Sequence, residues 1–213
     1  GHKVGNYKIY ILVFFMFSMR FIAPSIIDLF TGNAIIREDI TNQMQIVISV
    51  SLFVGIISGF GEEFGWRGYL LPRLLEKHDK LTALIVIGVI WGFWHFPIAL
   101  GGLTKTAFEY GLNSPEIRAQ IIPTLVECGT MIGASIAMSI IFGALWLKSN
   151  SILLVSFAHA WHNASRDIIS ILFKGTSIFS VILGALVFGL ILLGAFRWLK
   201  KDMSMSKCDS SLV

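Results

Sequence analysis

The 213-residue chain has few charged residues and only two cysteines. Charged residues make up 14% of the sequence, whereas soluble globular domains have about a quarter. The chain therefore lacks the polar side chains that would cover a water-facing surface, which excludes an ordinary soluble domain. Cys128 lies in an apolar run and Cys208 in a polar tail, so the cysteines predict neither a disulfide framework nor a metal motif.

Long hydrophobic runs make up most of the chain. It is 55% hydrophobic with a mean hydropathy of +0.75, and a helix needs roughly 20 apolar residues to cross a bilayer. Six runs are approximately that long: Tyr7–Phe30, Gln43–Gly61, Leu81–Leu100, Ile121–Leu147, Ser151–Phe173 and Ser177–Leu199. The sequence shows no β-type alternation, so it predicts an all-α, polytopic integral membrane protein with about six transmembrane helices. The longest connection, Gly101–Gln120, is amphipathic and is expected to cover the membrane surface.

The lysines and arginines between these runs predict the orientation of the chain in the membrane. With the N-terminus inside, ten lie on the cytoplasmic side and four on the other side. The ten are Lys3, Lys8, Arg73, Lys77, Lys80, Lys148, Arg197, Lys200, Lys201 and Lys207, and the four are Arg37, Lys105, Arg118 and Lys174. Because positive residues are enriched in cytoplasmic loops, both termini are expected in the cytoplasm. Basic residues distributed in this way do not indicate nucleic acid binding.

The chain is expected to form a single transmembrane domain over residues 1–213, with its chemically interesting residues in a core of about residues 43–173. Gly1 and His2 resemble residues left by cloning, so native sequence is expected upstream of this chain.

Two adjacent glutamates stand out because a charge at membrane depth costs several kcal/mol and needs a partner or a purpose. Glu63 and Arg67 are four residues apart on one predicted helix, in the order that favours an ion pair. Glu62 is rotated by about 100° around the same helix, so Arg67 cannot serve both carboxylates equally. The sequence therefore predicts an ion-paired Glu63 and a free Glu62, and a free carboxylate suits a general base.

Polar residues on three predicted helices lie at similar depths. At about 1.5 Å per residue, Glu62, His95, His159 and Asn163 lie about 12–20 Å inward from the predicted cytoplasmic ends of their helices. His159 and Asn163 also share a helix face. Scattered structural polar residues would not converge in this way, so we expect one polar intramembrane cavity.

The residue types in this cavity fit activation of a water molecule. Glu62 would take a proton from water with His95 orienting it, and His159 and Asn163 would donate hydrogen bonds to an oxyanion. The same residue types also suit zinc, with Glu62, His95 and His159 as the candidate ligands, although no H-E-x-x-H helix is present. The favoured mechanism requires no cofactor, and a divalent metal such as zinc stays an alternative.

Three segments resemble the motifs of the type II CAAX prenyl endopeptidase and bacteriocin-processing family, also called Abi proteases. Residues 62–67 (EEFGWR) are similar to its EExxxR motif, residues 91–95 (WGFWH) to FxxxH, and residues 159–163 (HAWHN) to HxxxN. Trp91 departs from the usual phenylalanine but keeps an aromatic residue beside the histidine. The resemblance covers about residues 43–163, and each motif lies on its own predicted span.

The resemblance implies an all-helical intramembrane protease with its site opening toward the cytoplasmic side, in a prokaryotic cell membrane. It assigns water activation to Glu62 and His95 and oxyanion binding to His159 and Asn163, with Glu63 and Arg67 in support. The implied substrate is a membrane-associated peptide or lipidated protein, of which a prenylated CAAX protein is one example, cut near its C-terminus. Metal dependence stays open at this point.

Two other classes of function stay open. A membrane interaction protein, for example one serving bacteriocin immunity or regulation, would keep the fold and act by binding. A small transporter would use the carboxylates and histidines as a proton relay. Among the other polar residues, Arg20 with Asp28, Glu127, and Arg166 with Asp167 are expected to form inter-helix pairs or to extend to a membrane interface. The functional roles of His162 and Glu127 are not assigned.

Overall fold

The computed structural model describes residues 7–37 and 40–210, and nearly all of them are helical. Its elements are α1 (Tyr7–Phe30), β1 (Ile35–Ile36), α2 (Ile40–Glu63), a π-helical segment (Phe64–Leu70), α3 (Leu71–Leu75), α4 (Lys80–Trp94), α5 (Phe96–Tyr110), α6 (Pro115–Ser149), α7 (Ile152–Leu172), β2 (Phe173–Lys174) and α8 (Ile178–Ser210). The prediction of an all-α, polytopic membrane protein is confirmed.

Four stretches of helix within the described residues are long and apolar enough to cross a membrane: Tyr7–Phe30, Lys80–Tyr110, Pro115–Ser149 and Ile178–Lys201. The helices α2 and α7 are the other two predicted spans, and they do not belong to this set. For α7 the reason is its polar content, because five histidine, asparagine, arginine and aspartate side chains interrupt its apolar residues. The total of six spans therefore stays a prediction.

The third predicted span, Leu81–Leu100, lies within the candidate span Lys80–Tyr110, in which one residue, His95, separates α4 from α5. The N–H of His95 bonds to the carbonyl of Gly92, and α5 starts at the next residue. Pro97 follows, and a proline lacks the N–H that would continue the hydrogen-bond ladder. The predicted surface connection Gly101–Gln120 is wrong. Most of it belongs to α5 and to the start of α6, and the turn between the two helices is residues 111–114.

The first motif lies where α2 changes into a wider helix. The π-helical segment Phe64–Leu70 follows Glu63 directly and contains Arg67. Segments of this kind are rare and often occur at functional sites. Pro72, at the start of α3, removes a backbone donor from the next turn and ends the segment.

Two close helix contacts hold the motif-bearing helices together. A Cβ on Gly59 would lie 3.0 Å from backbone atoms of Ser156 and Ala160, so this glycine lets α2 approach α7. A Cβ on Gly88 would lie 2.4 Å from the Cα of Ile136, so α4 and α6 pack with almost no space between their backbones. Small residues at such contacts are typical of helix packing in membranes.

The end of the bundle opposite the turn between α3 and α4 is closed by polar contacts. β1 pairs with β2 in antiparallel register, Ile35 opposite Lys174. Asp28 accepts hydrogen bonds from the backbone N–H and the hydroxyl of Ser177, just before α8 begins. The predicted pairing of Asp28 with Arg20 is therefore wrong, because the carboxylate serves the start of α8 instead.

Candidate active site

One cavity brings together polar residues from three motifs. It has a volume of about 420 Å³ and is lined by Glu62 from α2, His95 from the break after α4, and His159 and Asn163 from α7. Residues from α5 and α6 complete its wall: Ile98, Met131, Ala134, Ser135 and Met138. This volume lies in the range of ordinary ligand pockets.

The second glutamate lies behind the cavity wall in a buried ionic network. The Glu63 Oε1 accepts hydrogen bonds from the Arg67 Nη1 and from the His159 Nδ1, both at 2.9 Å. Glu63 and Arg67 are fully buried, and the predicted ion pair is present. The network also includes His159, which the sequence analysis assigned only to the oxyanion. Glu63 therefore orients a residue that faces the cavity.

The first glutamate accepts a hydrogen bond, so the prediction of a free Glu62 carboxylate is wrong. The indole N–H of Trp91 donates to the Glu62 Oε2 at 2.7 Å, across 29 residues of sequence. In the sequence, Trp91 was interpreted only as a substitute for the phenylalanine of the FxxxH motif. This substitution was the signal for the contact, because tryptophan carries an N–H donor that phenylalanine lacks.

Trp91 is also the aromatic centre of the site. Its ring lies 5.7 Å from the His95 ring and 5.2 Å from the His159 ring, between centroids. The Arg67 guanidinium lies 5.2 Å from the same indole. One side chain thus contacts residues of all three motifs and restricts how each can move.

The hydrogen bonds of the two histidines decide which ring nitrogen faces the cavity. The His95 Nδ1 lies 2.8 Å from the carbonyl oxygen of Trp91, and a carbonyl can only accept. The His159 Nδ1 faces the Glu63 carboxylate, which likewise accepts. Both histidines therefore carry a proton on Nδ1 and leave Nε2 for the cavity. With that arrangement His95 can accept a hydrogen bond from water, and a doubly protonated His159 can donate one.

The candidate zinc ligands do not come together as a metal centre. No group of three or more His, Cys, Asp and Glu side chains within residues 7–37 and 40–210 has the arrangement that would hold a metal ion. Glu62, His95 and His159 all line the cavity and have donor atoms of the types that zinc prefers. The alternative of a bound divalent ion therefore stays a prediction.

Two residues without an assigned role lie in different surroundings. His162 lines the cavity, packs against the rings of Phe17 and Phe21, and has a buried Nδ1 with no hydrogen-bond partner among the described residues. Glu127 is exposed on α6 and does not line the cavity. The cavity therefore adds His162 to the polar residues around the site and leaves Glu127 outside it.

The fold and the three motifs define a class of membrane protein. The chain matches the family described as type II CAAX prenyl endopeptidase Rce1-like over residues 44–165, which is more than half of its length, and it belongs to that family. The matched segment contains all six candidate site residues. The resemblance inferred from the motifs is therefore confirmed at the level of the family.

A curated relative has a more specific name. The chain is 28% identical over 121 residues to CAAX prenyl protease 2 of Methanococcus maripaludis. This match covers 56% of the present chain and 41% of the relative, so the chain spans less than half of that protein in the comparison. No solved structure matches the chain.

Proposed function

We propose that this protein is an intramembrane endopeptidase that cuts a peptide bond near the C-terminus of a membrane-associated substrate. The observation that carries the proposal is the single cavity lined by Glu62, His95, His159 and Asn163. Membership of the type II CAAX prenyl endopeptidase family supports the same activity. A prenylated CAAX-type protein is the first substrate to test, because the relative is named for that substrate.

In the proposed mechanism Glu62 is the general base. Its carboxylate removes a proton from a water molecule in the cavity, and the resulting hydroxide attacks the carbonyl carbon of the scissile bond. His95 orients this water by accepting a hydrogen bond at Nε2, since its Nδ1 is held by the carbonyl of Trp91. When the carbon–nitrogen bond breaks, Glu62 returns the proton to the leaving amine.

The charge that develops on the carbonyl oxygen is bound by α7. The Asn163 side-chain amide and the His159 Nε2–H are the proposed donors, and they lie four residues apart on one helix face. The buried Glu63 holds His159 from behind and stabilises the positive charge that this imidazole needs in order to donate. Arg67 in turn holds Glu63 in place by direct contact.

We propose that this reaction requires no metal ion. The described part of the chain contains no group of three or more candidate ligands arranged to hold a metal ion. Glu62 and His95 are held by contacts to Trp91, and His159 by Glu63. No step of the mechanism depends on a Lewis acid.

We also propose that the protein resides in a prokaryotic cell membrane with both termini in the cytoplasm. The excess of ten basic residues over four on that side supports this orientation. The catalytic candidates then lie about 12–20 Å from the cytoplasmic helix ends. A substrate must therefore insert its C-terminal segment into the bundle in order to reach them.

The proposal is tested with purified protein in detergent and two fluorogenic peptides that carry a CAAX-type end, one farnesylated on cysteine and one not. We expect cleavage by the wild type and none above background by Glu62→Ala. Cleavage of the farnesylated peptide alone would assign a prenyl substrate, and cleavage of both would assign a broader one. If a folded wild type cleaves neither peptide, a CAAX-type substrate is excluded, and a protease with another substrate or a non-enzymatic binder are the remaining functions.

A further inference from the structure

Arg166 is an intramembrane cation that lies in the wall of the catalytic cavity. It is the one arginine or lysine among the described residues that line this cavity, and Glu62 is the one carboxylate. It follows Asn163 by three residues on α7, so its Cβ lies about 5–6 Å from that of Asn163. An ionisable residue at membrane depth that faces a cavity rather than a partner helix indicates a ligand.

The local partner of Arg166 leaves much of its guanidinium free. The Arg166 Nε contacts the Asp167 Oδ1 at 2.8 Å, and the described residues provide no hydrogen bond to its two terminal nitrogens. Asp167 does not line the main cavity but a smaller neighbouring one. Arg166 lines both cavities and its side chain is 56% exposed, so its two terminal nitrogens are available to a carboxylate, which a guanidinium binds end-on through two N–H groups.

A second cation lies near Arg166. Arg20 is close enough to Arg166 to interact with it electrostatically. Arg20 packs on the ring of Phe188 at 3.9 Å from its centroid and has no carboxylate partner among the described residues. The lining of the cavity therefore contains one carboxylate, Glu62, and one arginine, Arg166, with a second arginine nearby.

The separation of Asn163 and Arg166 suits the end of a peptide. One to three extended residues span at most about 3.5–11 Å. A peptide whose carbonyl lies beside Asn163 would thus place its terminal carboxylate about as far away as the long Arg166 side chain can reach. The cavity volume of about 420 Å³ provides room for the residues that leave.

We propose that Arg166 binds the free α-carboxylate of the substrate's last residue. This inference rests on the proposed peptidase function and narrows the substrate class to peptides that enter with the C-terminus first. Arg166 selects substrates by their terminal charge, whereas the groups at Glu62 and His159 act on the bond. A chain cut in its interior would leave Asp167 as the partner of Arg166.

The test uses a peptide that the wild type cleaves, prepared with a free C-terminal carboxylate and with a C-terminal amide. We expect the wild type to prefer the free acid by about 10–100-fold in kcat/KM, as for loss of a charge-assisted hydrogen bond. Arg166→Gln should reduce this ratio to near one, mainly by raising KM for the acid. Arg118→Gln, which changes an exposed arginine on α6 outside the cavity, should keep the wild-type ratio.

A second variant keeps the inference falsifiable if Arg166→Gln folds poorly. Asp167→Asn removes the carboxylate that competes for the guanidinium, so it should lower KM for the free acid and leave KM for the amide nearly unchanged. A wild type that cleaves the acid and the amide equally well would overturn the role of Arg166 while the peptidase function stands. Retention of the full preference by Arg166→Gln would do the same. The peptidase function is tested separately, by cleavage of this peptide by the wild type and loss of cleavage in Glu62→Ala.

Discussion

Glu62 and Glu63 are neighbours in sequence, yet they lie in two different regions of the molecule. Glu63 is fully buried between Arg67 and His159, and its Oε1 is shared by both. Glu62 is half-buried, lines the cavity and accepts one hydrogen bond from Trp91. The end of α2 thus places the Glu63 carboxylate in the packed interior and the Glu62 carboxylate at the cavity.

This difference separates two requirements that one carboxylate could not meet. A general base must exchange a proton, so it needs access to water and a mobile proton acceptor. A buried carboxylate that accepts hydrogen bonds from Arg67 and His159 holds both side chains in place, and loss of its charge would leave the buried Arg67 without a counter-charge. Glu62 therefore carries out the proton transfer, whereas Glu63, together with Arg67, positions the neighbouring side chains.

The sharpest test of this division exchanges each glutamate for glutamine. Glu62→Gln should lower the peptidase rate by about 10²–10⁴-fold, because the proton acceptor is lost while the amide oxygen can still accept from Trp91. Its unfolding temperature should stay close to that of the wild type. Glu63→Gln should lower both the rate and the unfolding temperature, measured by circular dichroism in detergent. Equal losses of stability in the two variants would contradict the comparison.

The ion pair between Glu63 and Arg67 can also be broken by replacing the arginine. Arg67→Met should destabilise the protein by about 3–5 kcal/mol, because Glu63 is then buried with only His159 as a cationic partner. The double variant Glu63→Gln with Arg67→Met should recover part of this loss, since no uncompensated buried charge remains. Chemical denaturation of the three variants measures the difference. A double variant less stable than Arg67→Met alone would show that the burial of charge is not the cause.

Local spacing in the sequence was sufficient for part of this arrangement. The four-residue separation of Glu63 and Arg67 predicts their ion pair, and helix rise predicts that three motifs reach similar depths. The partner of Glu62 was not predictable, because the contact with Trp91 depends on the rotation of two helices about their own axes. The hydrogen bonds from Ser177 to Asp28 were not predicted for the same reason. Pro97 indicates an interruption of the helix near His95, but the run Leu81–Leu100 is apolar throughout and was interpreted as one helix.

Trp91 provides a smaller test on the Glu62 side of the comparison. Trp91→Phe keeps an aromatic ring against His95 and His159 and removes the N–H that holds Glu62. We expect about a tenfold lower kcat with little change in KM, as for loss of a hydrogen bond to a charged group. Trp94→Phe is the matched control, because Trp94 is exposed on the same helix. The same fall in both variants would exclude a specific effect on Glu62.

Removal of metal ions is expected to have the smallest effect, and it tests whether the cavity carboxylate acts alone. The proposed base is Glu62, and the described residues around it do not form a three-ligand metal centre. Dialysis of the purified protein against a chelator should therefore leave kcat/KM within about twofold, since no step requires a Lewis acid. Metal content by mass spectrometry is measured on the same samples, so that complete removal is established before the rates are compared. Loss of activity that zinc restores would show that Glu62 and the two histidines bind an ion during the reaction. Glu62 would then be a metal ligand and not a free base, and the proposed difference in role between Glu62 and Glu63 would be wrong.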